Sequence, residues 1–219
     1  MSNFVKFLLD LLFPITCLGC DRPNDWLCDD CFNNIKINGP DRLVIVDEYK
    51  DVLTGVYVVT EYNQLLLQKA LHNYKYNFIL NLGDKLADLL IRFLQECRQD
   101  QASFDLVIPV PLAARRLIWR DFNQSEVLAE KISRRFGWRL ETKVLFRKYY
   151  NRPQVGLNVE DRRANVRDSF EILDSVSIKD AKVLLIDDVL TTGSTMGECA
   201  KVLKNNGAKE IWGLVIAKS

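Results

Sequence analysis

Two adjacent acids and a run of hydroxyl residues form the part of the chain best suited to chemistry. Asp187 and Asp188 directly follow the apolar run 182–186. The residues after them are Val189, Leu190, Thr191, Thr192, Gly193, Ser194 and Thr195. The backbone amides and hydroxyls of residues 191–195 suit a phosphate at a helix N-terminus, and glycine allows close approach. Because carboxylates repel phosphate, we expect the acids to face vicinal hydroxyl groups, a magnesium ion, or both.

This stretch differs from two common phosphate-binding turns. No lysine follows the glycine, as a Walker A loop requires, and the glycine spacing of a dinucleotide-binding turn is absent. The alternative is an ordinary strand-to-helix connection in which Thr and Ser cap the helix. Capping explains one hydroxyl, but it explains neither the others nor two acids at the tip of a buried strand.

Basic residues follow a second apolar run, residues 104–110. Arg115, Arg116 and Arg120 come after it, and guanidinium groups give a pyrophosphate the bidentate donors that it needs. A solvated surface loop is the alternative, and the position after a buried strand favours binding. Lys75 is a further candidate for binding the pyrophosphate. The alternative is that it is an ordinary exposed lysine.

Four of the six cysteines fall into two closely spaced pairs, Cys17-x2-Cys20 and Cys28-x2-Cys31. Two such pairs suit a tetrahedral Zn²⁺ with four thiolates, a closed and therefore structural site. The alternative is that these are buried or redox cysteines. Within so short a segment, metal binding would supply most of the folding free energy.

Composition and charge exclude several classes of protein. An apolar share of 48% supports a real core, and a net charge of +1 draws the chain to neither nucleic acid nor membrane in bulk. Residues 4–13 predict a short amphipathic helix that Pro14 ends, packed on the body or on a partner rather than on a membrane surface. It lacks the features of a secretory signal and is too short to span a bilayer, so we expect a cytoplasmic protein without integral membrane association.

The elements that must position these residues alternate between strand and helix. Apolar or β-branched runs predict strands at residues 55–62, 104–110, 182–186 and 210–217, and a shorter one within 138–146. Helical periodicity predicts helices over residues 65–72, 83–97 and 123–137, and a last helix that residues 191–195 open and residues 205–207 end. The polar, poorly periodic sequence of residues 147–168 predicts a long loop. Alternation of this kind indicates an α/β fold, a parallel sheet flanked by helices, with ligands at the carboxyl ends of the strands.

We expect two parts in the chain. Residues 1–40 would hold the amphipathic helix and the four-cysteine zinc element, and residues 41–219 the α/β domain. The only histidine, His72, is expected to be structural rather than catalytic.

The stretch Ile186–Thr195 closely resembles the 5-phosphoribosyl-1-pyrophosphate (PRPP) motif of type I phosphoribosyltransferases. The resemblance implies that Asp187 and Asp188 contact the ribose hydroxyls, while residues 191–195 bind the 5-phosphate. It also implies that a segment near 147–163 closes over the ligand. The candidates there are Arg152, Gln154, Arg162 and Arg163.

With its basic and cysteine segments included, nearly the whole chain resembles the ComF family of competence-associated phosphoribosyltransferase-like proteins. The segments that agree include residues 72–76, 154–158 and 162–165. Asp121 stands where that family usually has glycine, so we expect a negative charge near the pyrophosphate. Ala113-Ala114 replaces a common His-Pro.

Two functions follow from the resemblance. One is a Mg²⁺-dependent phosphoribosyltransferase, acting in DNA uptake or nucleotide salvage. The other is a non-catalytic PRPP-binding adaptor that binds single-stranded DNA or a competence helicase. A homodimer is compatible with both, and the acceptor substrate is not identified.

Overall fold

The computed structural model of the chain describes five ranges, residues 15–39, 41–96, 103–148, 169–173 and 178–219. Two predictions fall outside them: the N-terminal helix, and the loop candidates Arg152, Gln154, Arg162 and Arg163.

The described elements alternate between strand and helix over most of the chain. The strands are β1 Leu43–Val44, β2 Gly55–Glu61, β3 Leu106–Pro109, β4 Arg139–Leu140, β5 Leu145–Arg147, β6 Phe170–Ile172, β7 Lys182–Leu190 and β8 Glu210–Lys218. The helices are α1 Asp29–Asn33, α2 Leu65–Tyr76, α3 Asn81–Glu96, α4 Ala114–Arg120, α5 Gln124–Phe136 and α6 Ser194–Asn205, with a 3-10 turn at Asp47–Tyr49.

Six of these strands form one sheet in the order β1-β2-β8-β7-β3-β4, and β5 pairs with β6 separately. All neighbours from β2 to β4 are parallel, which confirms the predicted parallel sheet. The edge strand β1 is an exception, because it pairs antiparallel with β2. A connection of about ten residues around the 3-10 turn is too short for the crossover that a parallel pair needs.

Alternate residues of the central strands enter two separate apolar clusters. In β7, Leu184 and Ile186 pack with α2, α3 and α5, whereas Val183 and Leu185 pack with α6. Side chains along a strand point alternately to opposite faces, so helices cover the sheet on both sides. This burial explains why β7 reads as a continuous apolar run.

Strand β7 extends further than the sequence predicts. The apolar run ends at Ile186, but β7 continues to Leu190 and therefore includes both acids. The reason is the neighbouring strand, since Asp187 pairs with Val215 and Leu190 with Lys218 in the parallel ladder. Backbone pairing with β8 thus continues a strand whose side chains have already become polar.

Two further differences lie near the candidate site. Helix α2 continues past His72 to Tyr76, which brings Lys75 into a helix. The arginine segment, read as a loop, forms the short helix α4, which ends at Asp121 in the left-handed conformation with φ 63°. Aspartate tolerates this conformation better than most residues, so it can stand where the ComF family usually has glycine.

The cysteine segment packs against the same apolar core as the helices. Leu27 and Ile35 are buried in the cluster that includes Leu67 and Leu86. The division of the chain at residue 40 stays a prediction. Among the described residues, no helix has both the length and the apolar character needed to cross a membrane.

Two glycines allow helix α6 to pack closely against the segment that follows β1. A Cβ atom on Gly193, which has φ +81°, would lie 2.8 Å from a methyl group of Val46. A Cβ atom on Gly197 would overlap the ring of Tyr49. The hydroxyl of Tyr49 also donates a hydrogen bond to Glu198 over 3.1 Å.

We therefore predict that Gly197→Ala lowers the free energy of unfolding by roughly 1–3 kcal/mol, because the methyl group overpacks the Tyr49 ring. Alanine is the better helix former, so intrinsic propensity would give the opposite result. Gly39→Ala is the control, since nothing lies within 4 Å of a Cβ atom there. Urea unfolding of both variants tests this packing, and equal midpoints would contradict it.

Candidate functional site

Asp187 and Asp188 lie at the carboxyl edge of the sheet, where other elements supply their partners. Asp188 is almost buried and forms an ion pair with Lys75 of α2, with Nζ and Oδ1 2.8 Å apart. Oδ1 of Asp187 accepts hydrogen bonds from the Ser125 hydroxyl of α5 and from the Asp188 backbone amide, each at 2.9 Å. The two carboxylates are therefore held in different surroundings.

These surroundings raise the pKa of Asp187. Burial is the largest cause and the neighbouring charge of Asp188 the second, and together they raise the pKa to about 7. The hydrogen bonds from Asp188 and Ser125 and the charge of Lys75 oppose the rise only in part. Near neutral pH, Asp187 can therefore change its charge when a ligand or a metal ion arrives.

Residues 191–195, here named the hydroxyl turn, follow β7 and open α6, as the sequence predicts. Gly193 is the N-cap residue of α6 and offers no side-chain cap. Thr192 Oγ1 accepts a hydrogen bond from the Ser194 amide at 3.3 Å and lies 2.8 Å from the Ser194 hydroxyl. Local capping thus accounts for Thr192 and Ser194, while Thr191 and Thr195 face a cleft.

This cleft, with a volume of about 430 Å³, brings the separate sequence motifs together. Its ionisable groups include four cations and both acids: Lys75, Arg116, Arg120, Arg147, Asp187 and Asp188. Two more residues of the predicted PRPP-binding stretch, Val189 and Leu190, differ in position. Val189 lines the cleft, whereas Leu190 is buried in the core. A site with this balance of charges suits an anionic ligand that also carries hydroxyl groups.

Arg120 is the most buried of the predicted arginines. Only 7% of its surface is exposed, and its guanidinium lies 5.2 Å from the ring centroid of Tyr76. Burial lowers the pKa of Arg120 from its usual range. Its Nε and the side-chain nitrogen of the neighbouring Gln124 have no hydrogen-bond partner among the described residues. Unsatisfied donors beside a cleft are consistent with a ligand that supplies acceptors.

Arg115, which the sequence predicts as a site residue, lies outside the cleft, as do Asp121 and His72. Arg115 is exposed on α4 and does not line it. Asp121 is likewise exposed and is not among the lining residues. His72 is exposed on α2, where its ring packs 5.0 Å from that of Tyr76.

Sequence reasoning missed Arg147 and Ser125 as site residues, and both line the cleft together with Gln124. Arg147 belongs to β5, and its guanidinium lies 5.3 Å from the ring of Phe170 on the paired strand. Burial and the charge of Arg116 lower its pKa. The short motif Asn123-Gln124-Ser125 at the start of α5 was a usable signal, because side chains at a helix N-terminus after a buried strand often reach the ligand.

The four paired cysteines form a separate cluster. Their sulfur atoms all lie within 4.8 Å of one another, close to the separation of about 3.8 Å expected around a tetrahedral Zn²⁺. Burial favours the neutral Cys17 thiol, but backbone amides, that of Cys28 above all, outweigh this and lower its pKa to about 6. Such a group is a ready metal ligand, and the cluster could hold zinc.

The chain is similar to several known proteins. The phosphoribosyl transferase domain family matches residues 80–218. Competence protein F of Haemophilus influenzae is 30% identical over 211 residues, which cover 94% of this chain and 86% of that protein. DNA utilization protein YhgH of Escherichia coli O6:H1 is 30% identical over 150 residues, 67% of this chain and 65% of that protein. The crystal structure of a purine phosphoribosyltransferase from Pyrococcus horikoshii Ot3 covers 62% of this chain and 71% of its own at 24% identity, with a TM-score of 0.37.

The fold and the domain match define the class: this is a protein with the type I phosphoribosyltransferase fold. Within that class, the match to Competence protein F over most of both chains shows that the chain belongs to the ComF family.

The raised pKa of Asp187 predicts that the ligand-free protein loses stability as the pH rises. Its contribution is fully present below the ordinary value of 3.8 and is lost as the pH passes through about 7. Asp187→Asn keeps an oxygen for Ser125 but cannot ionise. In urea unfolding, the variant should differ little from the wild type near pH 4 and become the more stable of the two by pH 8. A difference independent of pH would contradict this.

Proposed function

We propose that the cleft binds PRPP together with Mg²⁺, in a phosphoribosyltransferase-like protein that acts in DNA uptake during natural transformation or in nucleotide salvage. The observation that carries the proposal is the meeting of both acids, the hydroxyl turn and four cations in one cleft. Phosphate, vicinal hydroxyls and pyrophosphate each find suitable partners there.

The hydroxyl turn would hold the 5-phosphate. The amides at the start of α6 and the hydroxyls of Thr191 and Thr195 supply the donors, aided by the helix dipole. Asp187 and Asp188 would accept hydrogen bonds from the ribose hydroxyls. In total, the predicted PRPP contacts are Asp187, Asp188, Val189, Leu190, Thr191, Thr192, Gly193, Ser194 and Thr195.

The cations of the cleft would neutralise the pyrophosphate. Arg116 and Arg120 line the cleft, and Lys75 can turn to the ligand when it releases Asp188. Arg147 adds a charge that the sequence did not suggest, whereas Arg115 would have to reach in from its exposed position. Oxygen ligands from the two acids suit Mg²⁺, which would offset the charge of the leaving pyrophosphate.

In a transfer reaction, pyrophosphate leaves C1 of the ribose and an acceptor attacks that carbon. The protein's own part is positioning and electrostatic stabilisation: Asp187 and Asp188 hold the sugar, and the arginines favour the leaving group.

Replacing either acid tests the site. Asp187→Asn and Asp188→Asn should each weaken PRPP binding in the presence of Mg²⁺ by about 10- to 100-fold, because each removes a charged hydrogen-bond acceptor. Titration calorimetry at pH 8 measures the effect with Asp187 ionised. Asp121→Asn is the matched control, since it removes the same charge from an exposed residue outside the cleft, and its affinity should stay within twofold. If both site variants bind as the wild type does, the assignment is wrong.

A second candidate function is the non-catalytic adaptor, which binds PRPP and contacts single-stranded DNA or a DNA-uptake helicase. The names of the two relatives, a competence protein and a DNA utilization protein, favour it. Pyrophosphate release from PRPP with a panel of nucleobases separates the two functions, since an adaptor releases none with any acceptor. Both functions place the protein in the cytoplasm, and a homodimer would suit either.

We also propose that Cys17, Cys20, Cys28 and Cys31 bind one structural Zn²⁺ ion. The short distances between their sulfur atoms support this, and the four thiolates would fill a tetrahedral site without room for a substrate.

Metal analysis by mass spectrometry tests the zinc site. The wild type, grown with zinc, should carry about one Zn²⁺ per chain, and Cys20→Ser should carry much less, since three ligands hold the ion more weakly. Cys199→Ala is the control, because Cys199 is buried in α6 outside the cluster, and it should retain its zinc. Zinc-free wild-type protein would refute the proposal.

A further inference from the structure

Three aromatic rings lie exposed next to one another at the rim of the cleft. These residues, here named the aromatic ledge, are Tyr76, Phe78 and Trp119, which are 46%, 39% and 57% exposed. The ring centroid of Trp119 lies 6.2 Å from that of Tyr76 and 5.2 Å from that of Phe78. Tyr76 also lines the cleft. Large rings grouped at a surface mark a binding site more often than scattered apolar residues do.

The backbone holds Phe78 in an unusual conformation. Its φ is +55°, in the left-handed region that bulky side chains rarely adopt. Hydrogen bonds on both sides fix this turn, because the amides of Asn77 and Ile79 both donate to the Asn73 carbonyl. Strain of this kind is retained where the position of a side chain matters, and here it sets the ring of Phe78 against that of Trp119.

The ledge carries positive charge. Arg115 and Arg116 precede Trp119 by four and three residues, so all three share one face of α4. Both arginines are exposed, and Arg116 also lines the cleft. The guanidinium of the buried Arg120 lies 5.2 Å from the ring centroid of Tyr76 and 6.0 Å from that of Trp119. The ledge therefore combines ring faces with cations, and the cations continue into the cleft.

We propose that the aromatic ledge binds single-stranded nucleic acid, with bases stacked on Trp119 and its neighbouring rings and phosphates paired with Arg115 and Arg116. This combination of stacking surfaces and cations along the backbone is the general chemistry of single-strand binding. The ledge is open, which suits a chain that continues past it better than a single free base. The proposal gives a surface to the DNA-related role proposed above and rests on it.

A protein partner is the competing occupant, and helix geometry favours the nucleic acid. At 3.6 residues per turn, Arg115, Trp119 and Arg116 fall within an arc of about 100°, whereas Leu117 points about 160° away from Trp119. Ile118, 78% exposed, lies outside that arc as well. The arc thus holds one ring and two cations, and the exposed aliphatic residues of α4 lie beside it.

Fluorescence anisotropy with a labelled oligothymidylate of about 15 nucleotides tests the ledge. Trp119→Ala should weaken binding roughly 5- to 150-fold, the range seen when a stacking ring is lost. Phe78→Asn should weaken it too, while asparagine tolerates the left-handed backbone and keeps the turn. Ile118→Ala is the matched control on the same helix and should bind within twofold of the wild type. Arg116→Ala should flatten the dependence of log affinity on log salt by about 0.7.

PRPP titrations of the same variants separate this proposal from the one on which it rests. Trp119→Ala should bind PRPP as the wild type does, and Asp187→Asn should still bind the oligonucleotide. If the wild type binds PRPP but not the oligonucleotide, or if Trp119→Ala binds it normally, the ledge proposal fails and the PRPP site stands. If Trp119→Ala or Ile118→Ala instead turns a dimer into a monomer in size-exclusion chromatography, the ledge is a protein interface and the proposal is overturned.

Discussion

The site depends on the compensation of two adjacent carboxylates at the end of a buried strand. Asp187 and Asp188 would repel each other and lose hydration at this position, which raises the pKa of Asp187 to about 7. The Asp188 backbone amide, Lys75 from α2 and Ser125 from α5 oppose this rise in part. Helix α4 and strand β5 then contribute arginines around the same cleft. Elements from across the domain thus converge on the same two carboxylates.

The scaffold keeps this arrangement in place through close backbone packing. The ladder between β7 and β8 continues past the acids to Leu190, so both carboxylates stand on regular strand rather than on a loop. Gly193 and Gly197 let the start of α6 approach Val46 and Tyr49 without a side chain between them. The hydroxyl turn is consequently held by strand pairing on one side and by helix packing on the other.

Much of the fold could be predicted because its signals are local. The apolar runs in β3, β7 and β8 do not alternate with polar residues, which indicates burial on both faces of the sheet. Asn123 and Gly137 mark the ends of α5. The end of β7 was misplaced, since its last residues are polar and remain strand only through pairing with β8. The sequence does not indicate helix α4, because seven residues carry too little periodicity. Arg147 was missed for a related reason: it begins a polar segment, and only the packing of β5 brings it to the cleft.

The sequence by itself determined which chemical groups exist and which are neighbours along the chain: the acid pair, the hydroxyl run after it, the arginine cluster and the cysteine pairs. This information lies in the order of residues along the chain and in the spacing of apolar residues in strands and helices. Only the tertiary structure decided that Lys75 pairs with Asp188, that Ser125 bonds to Asp187, and that Arg116 rather than Arg115 enters the cleft. The physical reason is that these contacts join residues far apart in the chain, so the packing of helices on the sheet sets the distances between them. Charge and burial at each contact then set the pKa values of the residues involved.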